Sequence, residues 1–257
     1  MNILILAAGQ GTRLKNLNHN KPKCLLKLNG KSIINRNLTI FKNAKLNPIL
    51  ITGFEKEQLY FLNIKQVFNS EYSDTNMLWS LYKAIEYMNE DFMVCYGDIL
   101  VNSKQVNDLK KFKGGIGLLI DKDWLKYWKL RFKNPLSDAE SLEVNKKGEI
   151  TDIGKKVNDI TKIQGQYTGF LKISGKTRII FKNKLIDYCQ NKKSSNFARK
   201  SFLTDFLMYL VNQGIVIKEI PTYGGWIEID SPKDIKAAEA SGRLKLLDDD
   251  LKKFDII

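Results

Sequence analysis

The chain has 257 residues, 43% of them hydrophobic and 27% charged, with a formal charge of +14 at pH 7. That balance is typical of a soluble globular protein with room for a substantial core, and no apolar run approaches the roughly 18–20 residues of a membrane span. The three cysteines, Cys24, Cys95 and Cys189, are scattered and form no C-x-x-C pair, which speaks against a disulfide framework or a zinc site and predicts a cytoplasmic setting.

The excess of cations points to polyanion binding. The lysines are spread along the chain, alternating with asparagine and isoleucine, and form no dense basic tract. Nucleic-acid binding is therefore not expected, and a field that draws in nucleotides is. The N-terminus carries no charged segment ahead of its apolar run, so no signal peptide is expected either.

In chain order, Asn2 to Leu6 is a buried-type strand that stops at Ala7-Ala8-Gly9-Gln10-Gly11-Thr12-Arg13-Leu14. Glycine lets backbone N–H groups approach a phosphate that a Cβ would block. Arg13 can grip phosphate as a two-pronged donor, and Lys23, in Asn20-Lys21-Pro22-Lys23, as a point charge. No Lys-Ser or Lys-Thr follows Gly11, which excludes a P-loop, and Leu14 stands where a dinucleotide fingerprint needs its third glycine. A helix is predicted over 31–44 and strands over 48–53 and 66–68, with a helix over 55–62 between them. The polar stretch 69–76 is a loop leading into a helix over 77–88, and Phe92 to Tyr96 is a strand ending at Gly97-Asp98. The pattern predicts an α/β fold, a Rossmann-like mostly parallel mixed sheet flanked by helices. Ligands gather at the carboxyl ends of such strands, where Gly9, Gly53, the 69–76 loop and Asp98 fall.

The second half changes texture. A strand over 115–121 precedes an aromatic, basic stretch from Trp124 to Phe132. Residues 141–153 read as an antiparallel hairpin and 166–173 as a strand with an internal glycine. Helices follow over 175–191 and 201–213, then strands at 215–220 and 226–227. Ser231-Pro232 opens a helix running to about 241–242. A single domain is expected over 1–243, with a nucleotide-binding half (1–113) and an acceptor-binding half (114–243). Residues 244–257 are expected to be an exposed tail or an oligomer contact, and a homodimer is one expected assembly.

The string L-A-A-G-x-G-T-R-L followed by K-P-K resembles the signature of the nucleotidyltransferases that make nucleoside-diphosphate sugars and related activated alcohols. The stretches E-Y-S-D-T-N-M-L-W-S-L, G-Q-Y-T-G-F-L-K-I and G-W-I-E-I-D-S-P-K-D look like the small cytidylyltransferases of choline phosphate and aminoethylphosphonate. The resemblance runs over most of 1–240. It implies attack by an acceptor phosphate on the α-phosphorus of CTP or another pyrimidine triphosphate, with Arg13 and Lys23 as catalytic cations on the departing pyrophosphate. It also implies Mg²⁺ held by Asp98 and Asp230, with Asp121, Asp152 and Glu228 as further ligand candidates. Mg²⁺ suits one or two carboxylates because it keeps its other sites for phosphate and water. The base pocket is expected from Leu6, Ala7, Ala8, Gly9, Gly11 and Thr12, with Thr75, Asn76 and Ser80 supplying hydrogen bonds. A cationic acceptor suits an aromatic-acidic wall, for which Trp124, Trp128, Tyr167, Trp226 and Glu228 are candidates beside Asp121 and Asp123. Lys155, Lys156 and Arg178 are candidates for the acceptor phosphate. His19, the single histidine, is read as loop structure, which leaves Ser-His-Asp hydrolysis without support. The alternatives are a sugar-1-phosphate uridylyl- or thymidylyltransferase and a non-catalytic nucleotide-binding regulatory domain. The expected role is activation of a small phospho-compound for assembly of capsule or another surface polysaccharide, or of phospholipid-type products.

Overall fold

A computed structural model of the chain describes residues 1–17, 20–191 and 195–254. Seven strands form the central sheet: Asn2–Ala7 (β1), Asn47–Thr52 (β2), Lys65–Phe68 (β3), Phe92–Tyr96 (β4), Gly115–Asp121 (β5), Gln166–Ser174 (β6) and Ile217–Thr222 (β7). Their spatial order is β7-β5-β6-β4-β1-β2-β3. All neighbours run parallel except β6, which is antiparallel to both β4 and β5. The mixed, mostly parallel sheet expected from the sequence is therefore observed.

Strand alternation sends side chains to two cores. Ile3, Ile5, Leu50, Met93, Cys95 and Phe170 face one layer of helices, while Leu4, Ile49, Ile51, Phe92, Val94 and Leu171 face the other. The chain leaves β1 for β2 and β3 on one side and returns to β4 on the other. That reversal opens a crevice at the carboxyl ends of β1 and β4, where open α/β sheets bind ligands. Gly97 keeps the crevice tight, since a Cβ there would lie 2.6 Å from the carbonyl oxygen of Leu6. The internal glycine of β6, Gly169, has φ 79°, and a Cβ on it would lie 2.5 Å from the Tyr96 ring.

Several elements differ from expectation. The helix expected over 77–88 is an α-helix at Met77–Lys83 followed by a 3₁₀ turn at Ile85–Tyr87. Leu78, Leu81, Ala84 and Met88 stay buried while the backbone tightens, and Tyr82 and Ile85 pack partly buried against the same core. The helix expected over 55–62 is a 3₁₀ segment, Lys56–Leu62, set between left-handed Glu55 and Asn63. The helix Ser103–Lys111, capped by Asn102, was not read from the sequence.

The expected C-terminal tail is corrected. Arg243–Lys252 is a helix whose Leu244, Leu247 and Leu251 are buried in the core. Three apolar residues at helical spacing make a stripe that needs a surface to cover. Asp250 fixes the stripe by accepting from the Ser103 N–H at 2.7 Å and its hydroxyl at 2.8 Å. Residues 255–257 lie outside the described part.

Candidate active site

After β1 the chain passes through Ala8 and Gly9, and Gly11 (φ 65°) turns it into the 3₁₀ segment Thr12–Leu17. A Cβ on Gly9 would meet no protein atom within 4 Å, so the backbone there borders open space. Pro22 precedes a second 3₁₀ turn, Lys23–Leu25, which aims Lys23 at the same crevice. The crevice is a cavity of about 170 Å³. Its walls include Leu6 to Gly9, Lys23, Thr75 to Met77, Ser80 and Tyr96 to Asp98. Seven of the nine expected nucleotide residues thus share one cavity. Gly11 and Thr12 lie outside its lining and serve the turn that carries Arg13.

A short ladder brings the distant acids together. Ile99–Leu100 pairs with Ile227–Glu228, placing Glu228 opposite Ile99, and the Ile229 N–H donates to the Asp98 carbonyl at 3.1 Å. Asp98, Glu228 and Asp230 consequently offer oxygens within 4.8 Å of one another. The Lys23 ammonium donates to Asp98 at 2.6 Å and also to Asp230. Arg13, 68% exposed, donates to Asp230 at 2.8 Å. Burial works against the Lys23 charge, but the two aspartates outweigh it and hold its pKa above the ordinary lysine value. Burial likewise opposes the Asp230 charge, and Lys23, Arg13 and Arg131 hold that carboxyl below its usual range. Glu228 moves the other way, raised by burial and by the neighbouring charge of Asp230.

Two groups here had escaped the sequence reading. Arg131, at the end of the helix Trp124–Arg131, has a fully buried side chain. It pairs with Asp234 at 2.8 Å, Glu228 at 3.0 Å and Asp230 at 3.8 Å. Asp234 in turn accepts from the backbone N–H groups of Asp230 and Ser231, tying the start of the helix Pro232–Ala240 to the cluster. The Ser231-Pro232 helix start was the available signal for Asp234. The basic end of the 124–132 stretch was the only one for Arg131.

The acid cluster fits a divalent cation. Asp98 Oδ1 is buried without a hydrogen-bond partner while Oδ2 is held by Lys23. Four carboxylates (Asp98, Glu228, Asp230, Asp234) face three cations (Lys23, Arg13, Arg131), and an all-oxygen donor set is what hard cations such as Mg²⁺ prefer. Arg13 and Arg131 also border a second cleft of about 650 Å³ with Lys133, Ser137 and Lys233.

Other expectations are corrected. Trp124 and Trp226 are 4% and 1% exposed. With Tyr127 and Trp128 they form a packed aromatic cluster, ring centroids about 6 Å apart, and build no acceptor wall. The buried Trp226 indole N–H needs an acceptor and finds Asp121 at 2.9 Å. Asp121, fully buried and also paired with Arg243, is a structural anchor rather than a metal ligand. Asp152 accepts from Ser141 and pairs with Lys155 on the hairpin. Arg178 donates to the carbonyls of Asn89 and Gly175, at the end of β4 opposite Asp98. Tyr167 stays beside the cavity, its ring edge-on to Tyr96 at 5.9 Å and its hydroxyl buried without a partner. His19 lies outside the described residues.

Residues 3–112 match the MobA-like NTP transferase domain. Over 250 residues the chain is 33% identical to the CTP:phosphoglutamine cytidylyltransferase of Campylobacter jejuni, covering 92% of this chain and 98% of that protein. It is 34% identical over 116 residues to the choline-phosphate cytidylyltransferase of Streptococcus pneumoniae, covering 43% of this chain and 51% of that protein. Its fold matches the solved CTP:phosphocholine cytidylyltransferase from Streptococcus pneumoniae with a TM-score of 0.74 at 23% identity, covering 93% and 98% of the two chains. The chain belongs to the MobA-like NTP transferase family. Within it, the protein is a nucleotidyltransferase of the cytidylyltransferase type. Among the described residues no helix is long and apolar enough to cross a membrane.

Proposed function

We propose that the protein transfers CMP from CTP to a small phosphorylated or phosphonylated, nitrogen-bearing compound and releases pyrophosphate, with Mg²⁺ at the acid cluster. The observation that carries this reading is the convergence of Arg13, Glu228 and Asp230 on Lys23 and Asp98, which line the cavity. An acceptor phosphate oxygen forms a bond to the α-phosphorus, the bond to the β-phosphate oxygen breaks, and pyrophosphate leaves with the electron pair. The acceptor is already ionised, so no strong general base is needed, and catalysis is alignment and charge neutralisation. Lys23 and Arg13, with the loop amides after β1, hold the departing phosphates, and the cleft beyond Arg13 extends that basic surface. Asp98 and Asp230, joined by Glu228, would hold the divalent ion, which when bound would neutralise phosphate charge. Arg131 holds Glu228 and Asp230 in place against their mutual repulsion. Residues 1–113 serve mainly the nucleotide and 114–243 the acceptor, with Tyr167 as the aromatic candidate for the acceptor's nitrogen-bearing group. The product is an activated compound of the kind consumed in building surface polymers.

The test is pyrophosphate release measured over a grid of CTP, UTP and dTTP against phosphocholine, 2-aminoethylphosphonate, phosphorylated glutamine and hexose 1-phosphates. Turnover with CTP and a nitrogen-bearing acceptor is expected. Turnover confined to hexose 1-phosphates, or tight CTP binding with no pyrophosphate under any pairing, overturns the reading.

A further inference from the structure

At the far wall of the cavity the polar side chains are ordered in a way that gives the site a direction. Asn69 follows β3 and is fully buried, its N–H donating to the Thr52 carbonyl at 2.8 Å. Its side-chain oxygen accepts from the Glu71 backbone N–H at 3.1 Å. A backbone N–H can only donate, so the amide cannot be flipped, and its NH₂ faces the other way. Those two protons go to the hydroxyl oxygens of Thr75 and Ser80, each at 3.0 Å.

The consequences for the two hydroxyls differ. Thr75 passes its own proton to the Glu71 carbonyl at 2.7 Å and has none left to give. Asn76 has its oxygen on the Met77 N–H at 2.8 Å and one of its two NH₂ protons on the Lys200 carbonyl at 3.1 Å. Ser80 receives a proton from Asn69 and donates to no described residue. It is 4% exposed and lines the cavity. Its proton is therefore available to whatever occupies the cavity.

We infer that Asn69 is a positioning residue that locks Ser80 as a hydrogen-bond donor and so makes the cavity select a pyrimidine whose ring edge accepts there, cytosine over uracil. The inference rests on the proposal that this cavity holds the base of the triphosphate. N3 of cytosine is a bare acceptor for that proton, whereas N3 of uracil carries a hydrogen and leaves the Ser80 proton without an acceptor there. The donor sense is set one residue removed from the base, by an amide whose own orientation is fixed by the backbone.

Asn69→Asp tests this directly, because it keeps the shape and replaces two donors by acceptors. The Ser80 proton then turns to the carboxylate, and its lone pairs face the cavity. Steady-state turnover with CTP and with UTP is measured for the wild type, Asn69→Asp and Ser80→Ala, with thermal melting of each protein. The CTP-over-UTP ratio of kcat/KM is expected to fall about 10-fold in Asn69→Asp, while Ser80→Ala loses roughly 5-fold in kcat/KM for CTP without gaining on UTP. A merely structural Asn69 would lower both substrates together and leave the ratio alone. An unchanged ratio in a folded Asn69→Asp overturns the inference. Should Asn69→Asp fail to fold, Ser80→Ala decides, and undiminished use of CTP by that variant overturns it. A wild type that turns over no CTP would refute the functional proposal instead, which separates the two failures.

Discussion

At the scale of single residues, the site is a problem in placing like charges together. Asp98, Glu228 and Asp230 are tolerable neighbours because Lys23 lies between Asp98 and Asp230, and the buried Arg131 side chain holds Glu228 and Asp230 from behind. A buried guanidinium this well paired is hard to replace, since removing it leaves carboxylates without compensation. Glu140 is the opposite case. Burial, then the charges of Asp138 and Asp205, push its carboxyl up to about 7, and no described cation pairs with it, although Lys156 lies opposite on the hairpin. The folded protein binds this proton more tightly than the unfolded chain does. Stability from the group is thus complete below the unfolded value, roughly 4.3, and is lost as pH rises through 7. Glu140→Gln should melt with the wild type at pH 4 and above it at pH 8. A melting difference that is the same at both pH values would contradict this assignment.

At the scale of elements, local signals and long-range packing part ways. The loop after β1 and the Lys-Pro-Lys turn were legible because their chemistry is local: small residues, a fixed cation and a proline in a few consecutive positions. The aromatics of the 124–132 stretch were not. A tryptophan beside a ligand and one in a core both need apolar surroundings, and only the third dimension shows that Trp124 and Trp226 pack on each other's neighbours. The C-terminal segment misled for a related reason, as Asp248-Asp249-Asp250 hides an apolar stripe at Leu244, Leu247 and Leu251. That helix also clamps Ser103 and, through Asp248, Arg36 at 2.5 Å. Leu247 is 3% exposed, so Leu247→Ala should cost about 2–5 kcal/mol in urea unfolding. A loss below about 1 kcal/mol would mean the segment is the exposed tail its composition suggests.

At the scale of the whole molecule, the sheet's reversal at β1 and β4 fixes where chemistry can occur, and a two-residue ladder completes it. Asp98 and Asp230 could be paired from the sequence only through family resemblance, because no periodicity links positions so far apart. Arg131 and Asn69 act through other side chains and left no spacing to read. The central proposal is that these distant segments form one centre for phosphate chemistry. Its most direct test is pyrophosphate release from CTP, Mg²⁺ and the preferred acceptor by Asp98→Asn and Asp230→Asn, with near-ultraviolet circular dichroism as the check on folding. Both variants should keep the wild-type spectrum and lose turnover; near-normal rates in both would show that the reaction is run from elsewhere.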